Sequence, residues 1–141
     1  MGKINCGRVL LGGIVAGVVI NAVEFVMNMY VLAGDWAAVM KSIGKSAEFG
    51  AGAIIMFNLI GFAIGIGAVL LYAAIRPRCG AGVQTAIRAG VGVWFFYGLL
   101  PSIGFLTMDL FPARLINIGA AYSLAEIVVA TVAGAWLYKE A

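Results

Sequence analysis

Between Val9 and Tyr138 four long apolar stretches alternate with short breaks rich in glycine, proline and charge. Each stretch is long enough for an α-helix to cross a ~30 Å hydrocarbon core, which takes ~20 residues. The pattern predicts spans over about 8–33, 49–75, 88–108 and 114–138 of a single membrane domain covering 1–141. Arg76-Pro77 closes the second span, because proline disfavours a helical residue before it. Pro112 falls in the first turn of the fourth, where a missing amide hydrogen is tolerated. A fifth, shorter element lies at about 35–46. There Trp36, Val39, Met40 and Ile43 recur at helical spacing behind Asp35, a good N-cap residue. It reads as an amphipathic interfacial helix anchored by those four side chains at the membrane surface. The fold class is therefore all-α, an integral membrane four-helix bundle with one interfacial helix between spans one and two.

Composition agrees: 64% of residues are hydrophobic and 11% charged, and four spans leave no length for a soluble domain. With an even number of spans, both termini and the loop joining spans two and three share a face. That face holds Lys3, Arg8, Arg76, Arg78, Arg88 and Lys139, whereas the other holds Lys41, Lys45 and Arg114. Positive residues concentrate on the cytoplasmic side, so the termini are expected in the cytoplasm of a bacterial inner membrane. Lys3 and Arg8 before an apolar run imitate a signal peptide. The run is too long for an h-region and carries Asn21, Glu24 and Asn28, so it reads as a span. Tyr30 and Trp36 are expected in the outer aromatic belt, and Tyr72, Trp136 and Tyr138 in the inner one.

Lipid gives helices no hydrophobic drive to associate, so small residues must let them approach closely. Gly13 and Gly17 in span one, Gly61 and Gly65 in span two, and Gly119 and Gly134 in span four form such stripes. Ala16-Gly17 resembles Ala89-Gly90, and Leu71-Tyr72 resembles Leu137-Tyr138, a pattern compatible with a duplicated helical hairpin.

Polar residues share these faces. At ~1.5 Å rise per residue, Glu24 lies about 24 Å from the Arg8 end and Glu126 about 18 Å from the Tyr138 end. Asn21, Asn28, Asn58, Tyr97, Ser102, Tyr122 and Ser123 join them in one intramembrane polar layer. Glu24 and Glu126 are the two charged residues of the buried parts, and no lysine or arginine lies at their depth. A bare carboxylate there costs ~2.5–3.5 kcal/mol on insertion scales. Each acid must carry a proton, meet a cation or hydrogen-bond a neighbour, for which Asn21 and Ser123 are suited. Interhelical hydrogen bonds of this kind contribute ~1 kcal/mol each. The competing role is a proton or cation pathway.

The chain contains no histidine, which removes the commonest general base, haem ligand and zinc ligand. Cys6 and Cys79 form no motif. No nucleophile elbow, P-loop, complete dinucleotide fingerprint or C-x-x-C pair occurs. No basic run interleaved with aromatics suggests nucleic acid. Catalytic and metal residues are therefore not assigned. Lipid, quinone or pigment contacts remain open as cofactors, without histidine ligation.

With Glu24 inside the first of four spans, the chain resembles the small multidrug resistance transporters over span one. That resemblance implies an antiparallel dimer exchanging protons for cations at Glu24. The present chain departs from them in its length, its outer helix, its charge bias and the second acid, Glu126. The run Gly12–Asn21 followed by Glu24-Phe25, with the ending Gly134–Glu140, also resembles uncharacterised small bacterial membrane proteins. The expectation drawn from the sequence is a non-catalytic accessory subunit of a larger bacterial membrane complex, such as a respiratory or photosynthetic electron-transfer assembly, with other membrane subunits and lipids as partners. The alternative is a proton- or cation-coupled transporter or channel, homo-oligomeric, using Glu24 and Glu126.

Overall fold

A computed structural model describes residues 3–140, which are helical and free of strands. Four helices are long and apolar enough to cross a membrane: α1 (Cys6–Val31), α3 (Ala51–Cys79), α4 (Val83–Met108) and α5 (Ala113–Trp136). Between the first two lies the short α2 (Ala33–Ser42). α1 and α4 each pack against both α3 and α5, and α3 also touches α5 across the middle of the bundle.

Helix limits differ from the sequence expectation where local hydrogen bonding overrides a propensity. α3 runs through Pro77 to Cys79. Proline here forfeits a bond only in the final turn, and Gly80 N closes that turn on Arg76 O at 2.9 Å. α4 begins at Val83 rather than Arg88. Gly80 and Gly82, with φ of 84° and 131°, reverse the chain in conformations that L side chains rarely adopt. Pro112 is the N-cap of α5 instead of its first turn. Asp35 does not cap α2: Leu32 is the N-cap, and Asp35 sits inside the first turn.

Both termini lie at one end. Asn5 N donates to Tyr138 Oη at 3.4 Å, and Gly82 N donates to Tyr72 Oη at 3.3 Å. The two tyrosine rings meet edge-on, with centroids 5.9 Å apart. Tyr72 and Tyr138 are thus buried staples of the bundle end, not members of a lipid-facing belt; Tyr30 and Trp136 do face outward. The same end carries Arg76, whose Nη1 is 3.2 Å from Glu140 Oε1. At the end remote from the termini, the outer end of the bundle in that sense alone, Arg114 pairs with Asp35.

Small residues hold the terminal half together. A Cβ added at Gly13 would lie 2.5 Å from Ile66 Cα, and one at Gly65 2.5 Å from Gly17 N. Gly12 and Gly134 touch through their backbones. Gly119, expected to pack, meets nothing within 4 Å, because it lines a hollow that separates it from α4. The hairpins α1–α3 and α4–α5 are built alike. Ala16 and Ala89 are both fully buried, while Gly17 lies on Phe62 and Gly65 and Gly90 on Val128 and Thr131.

One core occupies the terminal half, from Val9 and Tyr138 to Ile20 and Ala130. A second, smaller one joins Leu32 and Val39 to Leu115 at the outer end. Residues 51–60 of α3 are exposed throughout, and residues 103–108 of α4 likewise. The outer halves of the spans therefore splay, leaving a hollow between the two cores.

Candidate functional site

Two π-helical turns border the hollow, and each arises from a local competition for backbone carbonyls. In α1, Asn28 Nδ2 donates to Glu24 O at 2.9 Å. That side chain intrudes on the i→i−4 ladder, and Met27–Val31 widens to π geometry. In α4, Pro101 lacks the amide that would reach Tyr97 O, and its ring crowds that carbonyl. Phe95–Leu99 is π-helical just before it. Ser102 Oγ donates to Gly98 O at 2.6 Å within the same turn. Asn28 and Tyr97 are thereby turned toward the hollow from opposite sides.

Glu24 is the hub of a hydrogen-bond chain. Its Oε2 accepts from Asn28 Nδ2 at 2.6 Å and from Tyr122 Oη at 3.1 Å. Asn28 Oδ1 in turn accepts from Trp36 Nε1 at 2.8 Å. The chain runs from α2 through α1 to α5 and fastens the outer helix to the polar layer. The sequence spacing predicts Trp36 at a lipid interface. Instead it turns inward, edge-on to Phe49 and Phe111 at 6.2 and 6.3 Å. Val39 is buried, Met40 half-buried, and Ile43 lies just past the helix end. The apolar face of α2 roofs the hollow, because Leu115 of α5 and Phe111 just before it offer an apolar surface there.

Glu126 is differently placed. Its side chain is buried, at 4% exposure, and its Oε2 has no hydrogen-bond partner. Asn21 and Ser123, expected to serve the acids, are engaged elsewhere: Asn21 Nδ2 donates to Asn58 O at 3.1 Å and Ser123 Oγ to Ala120 O at 3.1 Å. Gly61 permits the first contact, since its missing side chain is where Asn21 rests. The Asn58 amide bonds back to Ile54 O at 2.8 Å.

The hollow has two chambers. The larger, about 660 Å³, is lined by Asn21, Glu24, Asn28, Asn58, Tyr97, Ser123 and Glu126 among many apolar side chains. The smaller, about 440 Å³, is lined by Ser102 and Tyr122 with Gly119, Pro101 and Phe105. Glu24, Asn28, Trp36, Tyr97 and Ser123 line both and form the partition. The proposed polar layer is thus assembled in one region, and Trp36 is a member that hydropathy alone assigned elsewhere. No group of three metal-ligating acids or cysteines occurs among the described residues. Comparison with protein-family models, curated proteins and solved structures gives no match.

Proposed function

We propose that the protein is a small proton- or cation-coupled membrane transporter in which Glu24 and Glu126 hold the translocated charge. The supporting observation is the partnerless Glu126 oxygen beside a chamber that Glu24 also lines. A buried carboxyl oxygen without a donor costs free energy, and ionisable groups inside spans mark ion and proton pathways. The tight half that holds the termini and the splayed half that encloses the chamber supply the asymmetry that an alternating-access carrier uses. In this reading the termini face the cytoplasm of a bacterial inner membrane, following the lysine and arginine bias. The protein acts as a homo-oligomer, with no catalytic step. Vesicles reconstituted with the purified chain and a pH-sensitive dye test it. Proton flux driven by a gradient of a cationic compound is expected, and its loss in both E24Q and E126Q; flux unchanged in either variant rejects that residue's role.

A second reading, an accessory subunit of a larger membrane complex such as an electron-transfer assembly, is favoured by residues 51–60 of α3. Apart from Asn58 these are apolar, all are exposed, and they include Gly52, a surface that a neighbouring subunit's helix could cover. Gentle solubilisation from native membranes separates the readings: a stoichiometric heterocomplex supports the subunit, and a single-species oligomer supports the transporter.

A further inference from the structure

We infer that the larger chamber takes a hydrophobic amine from the acyl-chain layer, its ammonium at Glu126 and its apolar body toward the lipid. The inference deepens the transport reading above by naming the ligand class. It begins with access. Phe25 and Met29 of α1, and Ile54 and Phe57 of α3, line the chamber and are each more than half exposed, at 58%, 59%, 51% and 57%. All four lie within membrane-spanning helices, so the mouth they frame opens sideways onto lipid tails. Only a lipid-soluble ligand arrives by that route.

The deep end sets the other requirement. Ser123, Glu126 and Ile127 form buried wall there, and the free Glu126 oxygen has no donor from the protein. Arginines cannot supply one: Arg114 is paired with Asp35 at the outer end, and Arg76 lies beside Glu140 at the other. Glu24 needs no such partner, since one of its oxygens already accepts two hydrogen bonds. The missing partner is therefore a cationic donor brought by the ligand.

Size and donor set narrow the class. A chamber of about 660 Å³ is within the ~300–1,000 Å³ range of small-molecule sites. An inorganic cation would need several oxygen ligands around it, whereas most of the side chains lining this chamber are apolar. A phospholipid would bring its phosphate to a wall holding two acids. An alkyl or aralkyl ammonium supplies donors, charge and apolar bulk together.

Binding in nanodiscs of neutral phosphatidylcholine, measured by calorimetry against empty nanodiscs, tests the inference with octylamine, octyltrimethylammonium and octanol. Saturable binding of one octylamine per chain is expected, with weaker octyltrimethylammonium, which lacks an N–H, and no saturable octanol. Losing the charge partner in E126Q should weaken octylamine at least about thirty-fold. E48Q, at an exposed acid outside the chamber, should stay within a few-fold of wild type. Equal octylamine binding to wild type and E126Q, or octanol binding as well as octylamine, overturns the assignment. If E126Q does not fold, the wild-type chain gives the same readout: N,N-dimethyloctylamine, which carries an N–H as its ammonium and forms no amide with an activated carboxyl, should protect Glu126 from dicyclohexylcarbodiimide, and unprotected labelling overturns it. Amine binding without proton flux would remove the transport reading and leave the site. Flux driven by inorganic cations without amine binding would do the reverse.

Discussion

Tyr122 Oη lies 3.1 Å from Glu24 Oε2, and among the described residues this is the hydrogen bond that ties either intramembrane acid to another spanning helix. Both groups are partly buried, so the bond competes with little water. Y122F removes the hydroxyl and keeps the ring. Its expected cost is about 1 kcal/mol, the usual net value of such bonds inside a bilayer. Unfolding by steric trapping in bicelles reads this directly. An unchanged unfolding free energy would mean that the bond is not populated.

Glycines divide into those that two helices press upon and those that stand free. Gly13 and Gly65 face backbone atoms of the neighbouring helix, whereas Gly119 and Gly67 meet nothing within 4 Å. Backbone cannot move aside as a side-chain tip can. G13L and G65L should therefore destabilise by about 3 kcal/mol or more, at or beyond the usual cost of overpacking. G119A should be neutral, or stabilising by up to ~1 kcal/mol through helix propensity. Unfolding midpoints across the four single variants, with G67A as a second control, would show the split. A uniform response would contradict the close terminal half.

The spans, their number and the polar layer were legible because each is written in a repeated chemical type: apolar runs of membrane length, and acids and amides at matching depth. What stayed hidden depends on contacts between distant residues. Asn21 and Ser123 have the right chemistry to serve the carboxyls, but each finds a backbone carbonyl nearer, at Asn58 and Ala120. Gly119 follows the stripe of Gly134, but Gly134 presses on Gly12 whereas Gly119 faces the smaller chamber. Trp36 and Tyr72 look like interfacial aromatics because an amphipathic ring suits both a lipid surface and a buried site with one hydrogen-bond partner. The π turns had local signals that could have been read: Asn28 four residues after Glu24, and Pro101 four residues after Tyr97. The duplication resemblance gains structural content, because the paired Ala-Gly steps make matching contacts in the two hairpins.

Trp36 connects the roof helix to the acid through a single indole hydrogen. W36F retains an aromatic ring against Phe49 and Phe111 and removes the Nε1 donor to Asn28 Oδ1. The Arg114–Asp35 pair and buried Val39 still hold α2. The fold should therefore survive with a loss of about 1 kcal/mol, and the change should be local. Amide hydrogen exchange is expected to rise several-fold along residues 33–42 and to stay constant in the terminal halves of α3 and α5. Exchange rising equally in both regions would show that the bond supports the whole bundle, not the roof.

Cys6 and Cys79 are both free and exposed, and both stand at the end where Asn5 meets Tyr138 and Gly82 meets Tyr72. They consequently share one aqueous face, whichever way the chain inserts. A membrane-impermeant maleimide applied to intact cells, and then to inverted vesicles, should label C6S and C79S variants in the same preparation and not in the other. The excess of lysine and arginine at that end predicts labelling in the inverted vesicles. Labelling of the two single-cysteine variants from opposite sides would contradict the four-span arrangement, because no even-span path places Cys6 and the α3–α4 turn on different surfaces. Labelling of both in intact cells would preserve the fold and reverse its orientation, putting the mouth framed by Phe25 and Phe57 in the cytoplasmic leaflet.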